Sequence, residues 1–150
     1  MPAWPRSYAA PDIALKRRAV RSRTASTKSG SFPSSYVSGS GGVAGGVAPR
    51  FARRAEALPL GDPRKPEPVV LGSVIGMGTV NHCNALIDDA LAKGAKLACG
   101  GKADTTLMPA TVLDHVTPAM RIYHEETFGP VKCVVRVNGV EEAIACANDN

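Results

Sequence analysis

The feature that most constrains this chain is a change in sequence character about one third of the way along it. Before Phe51 the chain is rich in Ser, Gly and Arg, and few large apolar residues recur at a helical or strand period. From Phe51 onward, helical and extended patterns alternate between Gly and Pro residues, which is typical of an α/β layer structure. The sequence therefore predicts a disordered Ser/Gly/Arg-rich tail over residues 1–49 and an α/β domain over residues 50–150.

The positive charge of the chain lies in the first part. Residues 1–55 hold ten Lys or Arg and one acidic residue, whereas residues 56–150 hold eight Lys or Arg and twelve acidic residues. Ordering the first part would cost backbone entropy that little apolar burial offsets. Its basic cluster, Lys16-Arg17-Arg18 with Arg21 and Arg23, is compatible with an anionic partner or a transit peptide. A solvated run of charges is the favoured interpretation.

Other features of the tail argue against a nucleotide loop and against export. Ser38–Gly46 is glycine-rich, but no β-branched strand precedes it and no Lys-Ser or Lys-Thr pair follows it, so a flexible linker is favoured over a phosphate-binding loop. No stretch of the chain approaches the roughly 20 apolar residues of a membrane span, and no secretory apolar segment is present. The sequence predicts a soluble cytoplasmic protein whose cysteines are reduced thiols.

Periodicity predicts the helices of the second part. A short helix is expected over residues 51–58, ending before Pro59. A second helix is expected to bury a face with apolar residues three or four positions apart and to end at Gly94. Its face is Val80, Cys83, Ile87, Ala90 and Leu91. A last helix follows Gly139, with an expected inward stripe of Val140, Ala143, Ile144 and Ala147.

Three strands are predicted between these helices. Leu97–Cys99 and Ala110–Val116 are strand candidates, and Val131–Val137 has the clearest alternation of apolar side chains in the chain. Thr117 is expected to cap a helical turn that begins at Pro118.

Short motifs in the second part occur in a characteristic order. They are Ala57-Leu58-Pro59-Leu60-Gly61-Asp62-Pro63, Leu71-Gly72, Asp89-Ala90-Leu91-Ala92-Lys93-Gly94-Ala95-Lys96, Gly100-Gly101, Pro109-Ala110-Thr111-Val112-Leu113, Glu125-Glu126-Thr127-Phe128-Gly129-Pro130-Val131, and Glu141-Glu142-Ala143-Ile144 followed by Ala147-Asn148. In this order and spacing they resemble the aldehyde dehydrogenase superfamily over about residues 51–150. The segment 117–122 is similar to the branch that oxidises aromatic aldehydes such as salicylaldehyde or vanillin.

The resemblance implies a fold, a reaction and a cofactor site. The fold would be part of a catalytic domain, a mostly parallel sheet with flanking helices. The reaction would be oxidation of an aldehyde to its acid with NAD or NADP, in which a cysteine thiolate adds to the carbonyl, a hydride leaves to the nicotinamide and water releases the thioester. The resemblance further implies that the Glu126 carboxylate binds both vicinal ribose hydroxyls and that the Phe128 ring lies beside the ribose and nicotinamide.

The catalytic motifs of the family are absent. Its nucleophile lies in a Gly-Gln-x-Cys context and its general base in a Glu-Leu-Gly-Gly context, and neither occurs in this chain. The cysteines present, Cys83, Cys99, Cys133 and Cys146, are interpreted as packing residues, and their intervals exclude a CxxC pair. The histidines, His82, His115 and His124, are too scattered for a metal site. We therefore expect no catalytic residue, no metal site and no activity from the chain alone.

The overall expectation is a C-terminal-side piece of an aldehyde dehydrogenase catalytic domain behind an unrelated tail, with a truncated or frameshifted reading frame as the explanation of the change near Phe51. The partners implied by the family are an aldehyde substrate and further copies of the subunit. Two other classes stay open. One is a non-catalytic binding or assembly module, because an orphaned sheet exposes edges that pair with partners. The other, disfavoured because aromatic stacking groups are few, is a basic-tailed nucleic-acid binder.

Overall fold

The computed structural model describes the backbone of residues 36–149 and the side chains of residues 46–149. In chain order its elements are β1 (Tyr36–Ser40), α1 (Gly41–Glu56), α2 (Met77–Ala92), β2 (Lys96–Cys99), β3 (Thr111–Val116), α3 (Arg121–His124), β4 (Val131–Val137) and α4 (Val140–Asn148). Strands and helices are interspersed along the chain, and the predicted α/β class is confirmed. Among the described residues, no helix combines the length and apolarity needed to cross a membrane.

The four strands form a sheet in the order β1-β4-β3-β2. β1 runs parallel to β4, β4 runs parallel to β3, and β2 pairs with β3 in the antiparallel sense. The mostly parallel sheet expected from the family resemblance is therefore present, with β2 as an antiparallel edge.

The central strand β4 behaves as its alternation predicts. Val131, Cys133 and Val135 pack with α2 and α3 in one apolar cluster, whereas Val134 packs with α1 in another. Because successive side chains of a strand point to opposite faces, these two clusters lie on opposite faces of the sheet. Helices therefore cover both faces, as parallel sheets require.

Helix α2 supplies the largest apolar face of the domain. Four of the five residues predicted for that face are buried, but Leu91 is 38% exposed and Leu86 is fully buried in its place. Leu86 and Ile87 sit side by side at the centre of the face, so Leu91 falls at its margin. The predicted end is confirmed: Gly94 has φ 98°, its N–H donates to Leu91 O (3.1 Å) and the Ala95 N–H donates to Ala90 O (2.9 Å). This is a Schellman motif, which favours glycine at that position.

The structured region begins earlier than predicted. Residues 36–49, assigned from the sequence to a disordered tail, form β1 and most of α1, and the Gly-rich segment Ser38–Gly46 lies within these elements rather than in a linker. β1 pairs along its whole length with β4, so backbone hydrogen bonds stabilise a strand that apolar periodicity does not reveal. The predictions for residues 1–35 lie outside the described residues.

Helix α1 packs through small side chains. Its inward stripe is Ala48, Ala52 and Ala55, which contact Cys99, Val112 and Val134 of the sheet. Alanines at spacings of four and three follow the helical period, but they lack the bulk that marks an apolar face in a sequence. For this reason the predicted helix, 51–58, begins ten residues after the observed one.

Two predictions near the other end of the chain are also corrected. Thr117 does not cap a helix: residues 117–120 form a turn in which the Met120 N–H donates to Thr117 O (3.0 Å), and α3 begins at Arg121. In α4 the predicted inward residues Val140 and Ile144 are 70% and 51% exposed. The helix contacts the core through Ala143, as predicted, and through Cys146, whereas the predicted Ala147 is also exposed.

Candidate cofactor site

The segment between α3 and β4 carries both residues that the family resemblance assigns to the cofactor. We call Glu125–Gly129 the strap. Along it the side chains alternate: Glu126 is exposed, Thr127 is buried and Phe128 is 76% exposed. Exposed and buried side chains alternate over these three residues. Glu126 and Phe128 therefore both point away from the core, and the structure brings them together on one outward-facing segment.

The inward residues of the strap fit closely against α2. The Thr127 hydroxyl donates to Gly129 O (3.2 Å), which closes a tight local loop. A Cβ atom on Gly129 would lie 2.7 Å from the Sγ atom of Cys83, closer than such atoms can approach. Only glycine therefore allows the strap to approach α2 at this point.

Phe128 holds an uncommon backbone conformation. Its φ is 48°, in the left-handed region that bulky non-glycine residues rarely adopt. Such a conformation costs of order 1–3 kcal/mol and persists only where the surroundings determine it. Because the ring is mostly exposed, burial of the ring does not offset this cost, so contacts elsewhere in the strap must hold the conformation.

The two adjacent glutamates of the strap have different environments. Glu125 forms a bidentate ion pair with Arg121, with Nε–Oε1 at 2.7 Å and a second nitrogen at 3.0 Å from Oε2. The hydrogen bond from Arg121 lowers the pKa of the Glu125 carboxyl. The Glu126 carboxylate, in contrast, makes no hydrogen bond or ion pair within the part of the chain that the structure describes. Its oxygens are available to a ligand.

Two α2 residues hold the backbone of the strap. The His82 Nε2 atom lies 2.9 Å from the Glu126 carbonyl oxygen, and the Cys83 thiol donates to the Thr127 carbonyl oxygen at 3.1 Å. Sequence reasoning missed this role, since it interpreted His82 as an ordinary surface or boundary histidine, too far from the other histidines for a metal site, and Cys83 as a packing residue. Neither periodicity nor spacing carries a signal for a contact across 44 residues.

The thiols do not form an open nucleophilic site beside the strap. Cys83, Cys99 and Cys133 are buried, and burial raises the pKa of each of these three thiols, in the case of Cys133 to about 12. A thiol with a raised pKa is a poor nucleophile near neutral pH. Cys146 is half-buried on α4, with its Sγ atom 3.1 Å from the Tyr123 hydroxyl.

The three histidines each contact a different part of the chain. His82 contacts the strap, His124 Nε2 lies 2.9 Å from Pro118 O, and His115 lies beside Asp114. Across residues 46–149, no group of three or more His, Cys, Asp or Glu side chains is arranged to hold a metal ion.

Residues 36–150 match the family model described as the aldehyde dehydrogenase family. The chain belongs to the aldehyde dehydrogenase family. The match begins at Tyr36 rather than Phe51, in agreement with the early start of the fold. It also includes the strap, so the family assignment and the geometry concern the same residues.

The curated relatives include enzymes of the aromatic-aldehyde branch. A salicylaldehyde dehydrogenase of Pseudomonas putida is 45% identical over 101 residues, covering 67% of this chain and 21% of that protein. A vanillin dehydrogenase of Pseudomonas fluorescens is 44% identical over 108 residues, covering 72% of this chain and 22% of that protein. The chain thus spans about one fifth of the length of these relatives.

Solved structures of the family share the fold. A salicylaldehyde dehydrogenase from Pseudomonas putida G7, complexed with salicylaldehyde, superposes with a TM-score of 0.74 at 41% identity, covering 77% of this chain and 24% of that chain. An NADP-dependent glyceraldehyde-3-phosphate dehydrogenase from Bacillus halodurans C-125, complexed with NADP, gives a TM-score of 0.73 at 36% identity. The match covers 77% of this chain and 24% of that chain. Members of the family therefore bind NAD(P) and aldehydes, and this chain has the fold of one portion of them.

Proposed function

We propose that this chain carries the ribose-contacting part of the NAD(P) site of an aldehyde dehydrogenase. The observation that carries the proposal is the outward face of the strap, where an unpaired carboxylate and an exposed aromatic ring lie two residues apart on a fixed backbone. A carboxylate has two oxygens that can accept hydrogen bonds from the two vicinal hydroxyls of a ribose. The aromatic ring offers an apolar surface beside the sugar.

The residues of the strap fit the group they are proposed to bind. When bound, the nicotinamide supplies a hydride acceptor for aldehyde oxidation. Glu126 would orient the ribose through its two oxygens, and the Phe128 ring would exclude water from one side of it. Neither side chain must break a bond within the described residues to do so, because the carboxylate is unpaired and the ring is mostly exposed.

For the whole protein we propose oxidation of an aromatic aldehyde to its acid. This substrate class rests on the similarity to salicylaldehyde and vanillin dehydrogenases. The 150 residues alone are proposed to be inactive, because they contain no Gly-Gln-x-Cys segment and three of their four thiols are buried. The cytoplasmic location stays a prediction.

Titration of the purified chain with NADH tests the cofactor proposal, with nucleotide fluorescence as the readout. Glu126→Gln and Phe128→Leu should each weaken binding by about 3- to 10-fold, the range expected for one lost charged hydrogen bond or apolar contact. Glu141→Gln, which makes the same charge change at an exposed position of α4, should leave the affinity unchanged. Absence of binding at roughly millimolar NADH, or equal affinity in all variants, would overturn the proposal.

An absorbance assay with salicylaldehyde or vanillin and NAD tests the proposed inactivity. We expect no NADH production above the rate without protein. Turnover that disappears when one of the four cysteines is replaced by alanine would show that the chain contains its own nucleophile, and would overturn this part of the proposal.

An assembly module is a second candidate, favoured by apolar side chains at the margins of the domain. Val140 and Ile144 of α4 are 70% and 51% exposed, and Leu97 of the edge strand β2 is 44% exposed. Exposed apolar side chains and an unpaired strand edge favour association. Size-exclusion chromatography distinguishes the outcomes: a homo-oligomer or a stable complex with the rest of an aldehyde dehydrogenase supports this candidate, and a monomer in both experiments opposes it.

A further inference from the structure

Two consecutive residues of α2 contact two consecutive carbonyl groups of the strap. His82 contacts the carbonyl oxygen of Glu126 at 2.9 Å, and Cys83 contacts that of Thr127 at 3.1 Å. A carbonyl oxygen only accepts hydrogen bonds, so the Nε2 atom of His82 must carry the proton and donate it. The same turn of one helix therefore holds both peptide groups that flank Thr127.

Fixing these two peptide groups fixes the two outward side chains. A peptide unit is planar. The hydrogen bond from His82 to the Glu126 carbonyl therefore fixes the orientation of the peptide plane between Glu126 and Thr127. The bond from Cys83 to the Thr127 carbonyl orients the next plane, which contains the N and Cα atoms of Phe128, the residue whose φ is 48°. The directions in which Glu126 and Phe128 leave the backbone thus depend on α2.

The preceding residue of the strap is held by a separate set of contacts. Glu125 pairs with Arg121, whose backbone N–H donates to Asp89 at 2.8 Å, and Asp89 pairs with Lys93 at 2.8 Å. These contacts hold the end of the strap that joins α3. They do not reach the peptide groups on either side of Thr127, and those depend on the bonds from His82 and Cys83.

The roles of His82 and Cys83 differ because their burial differs. Cys83 is fully buried in the main apolar cluster, so replacing it would disturb packing as well as the hydrogen bond. His82 is only half-buried and lies outside that cluster, so its hydrogen bond to the strap adds little to the core. A substitution at His82 can therefore alter the strap and leave the stability of the domain nearly unchanged, whereas a substitution at Cys83 cannot.

We propose that His82 is a positioning residue for the cofactor contact: its hydrogen bond to the Glu126 carbonyl orients the Glu126 carboxylate and the Phe128 ring toward a nicotinamide nucleotide. This inference rests on the proposed function of the strap. His82 itself does not contact the nucleotide. It acts by holding one peptide plane. Another side chain that donates a hydrogen bond from the same position should therefore perform the same role.

The test compares His82→Leu, which removes the donor, with His82→Gln, whose amide nitrogen reaches the place of Nε2. His115→Asn is the control, because His115 lies at the far end of β3 and asparagine tolerates its φ of 61°. NADH affinity of the full chain should fall about 2- to 10-fold in His82→Leu, the effect of one net hydrogen bond. It should return to within about twofold of the original in His82→Gln, and stay unchanged in His115→Asn.

A second readout does not depend on the nucleotide. The chain has three phenylalanines, so labelling with 4-fluorophenylalanine gives three fluorine resonances, of which Phe128→Leu identifies one. His82→Leu should shift or broaden the Phe128 resonance and leave that of Phe51 in place, and His82→Gln should restore it. A thermal melt should show that all three histidine variants unfold cooperatively near the temperature of the original chain.

The two proposals fail in different ways. If Glu126→Gln and Phe128→Leu leave NADH affinity unchanged, the cofactor role of the strap is wrong whatever His82 does. If those two variants weaken binding but His82→Leu does not, or if His82→Gln fails to restore affinity and the fluorine resonance, the positioning role of His82 is wrong and the cofactor site stands.

Discussion

The strap and helix α4 both expose apolar side chains, but only the strap holds them on a fixed backbone. Phe128 is 76% exposed and Val140 is 70% exposed. The backbone beside Phe128 accepts hydrogen bonds from His82 and Cys83 across 44 residues of sequence. Helix α4 has no buried residue and contacts the core through Ala143 and Cys146.

This difference separates two meanings of an exposed apolar residue. An aromatic ring held outward by long-range backbone contacts, next to an unpaired carboxylate, is the arrangement on which the proposed cofactor site rests. Apolar side chains on a helix with few contacts to the core form instead the surface through which we propose that the domain associates. Exposure alone does not distinguish the two, whereas the anchoring of the backbone does.

The largest expected effect contrasts α4 with the anchored helix α2. Leu86→Ala should lower the free energy of unfolding by about 2–5 kcal/mol, because Leu86 is fully buried and its removal leaves a cavity. Ile144→Ala should change it by no more than about 0.5 kcal/mol, as is usual for surface positions. Urea unfolding of both variants measures this, and a large loss for Ile144→Ala would show that the stripe on α4 is covered.

The next effect tests the close fit of the strap against α2. Gly129→Ala should lower the free energy of unfolding by about 1–3 kcal/mol, because the added Cβ overpacks against Cys83. Gly78→Ala on α2 meets nothing within 4 Å and should stabilise the helix by up to about 1 kcal/mol. Thermal melts of the two alanine variants provide the comparison. Equal stability for both would mean that the strap is not seated on α2.

A pH effect is expected from the core beneath the strap. The Cys133 thiol has its pKa raised to about 12 by burial, whereas an unfolded cysteine titrates near about 8.5. As pH rises between these values, the unfolded state loses its proton first, so the free energy of unfolding should fall by up to about 1.4 kcal/mol per pH unit.

Urea unfolding of the original chain and of Cys133→Val between about pH 8 and pH 10 measures how the free energy of unfolding changes with pH and whether Cys133 causes the change. Valine fills the position without an ionisable group, so the decline with pH should be less steep in the variant. An identical slope in both proteins would show that Cys133 does not carry the effect.

The smallest expected effect concerns the backbone of Phe128. Phe128→Asn should raise the free energy of unfolding by about 0.5–1 kcal/mol, since asparagine tolerates the left-handed region and little ring burial is lost. Val140→Asn, an exposed site of ordinary helical backbone, serves as the matched change on α4 and should give no gain. Loss of stability in Phe128→Asn would show that the ring packs against the domain.

The sequence predicted those elements whose own side chains create the pattern. The alternation in Val131–Val137 identifies β4 because one face of the strand is fully buried, whereas Lys132 and Arg136 on the other face are only half-buried. Gly94 identifies the end of α2 because the left-handed residue of a Schellman motif favours glycine. Helix α1 was predicted too short, because its alanine stripe is small. In α4 the inward position of Ala143 was predicted correctly and those of Val140 and Ile144 were wrong, because the apolar period does not show which side chains meet the sheet.

The candidate site was accessible from the sequence only through family resemblance. Taken alone, Glu125 and Glu126 form an acidic pair with nothing to distinguish them, and Phe128 suggests a core residue. The structure distinguishes the two glutamates, since Arg121 pairs with the first and leaves the second unpaired. The contact from His82 to the strap had no sequence signal, because it joins residues 44 positions apart.

The sequence by itself determined the α/β class, the central strand and the family, because these depend on local period and on short motifs in order. The tertiary structure alone decided which side chains face outward, where the fold begins and what holds the strap. Those features depend on contacts between distant residues, and hydrogen bonds and packing across such distances leave no period in the chain that forms them.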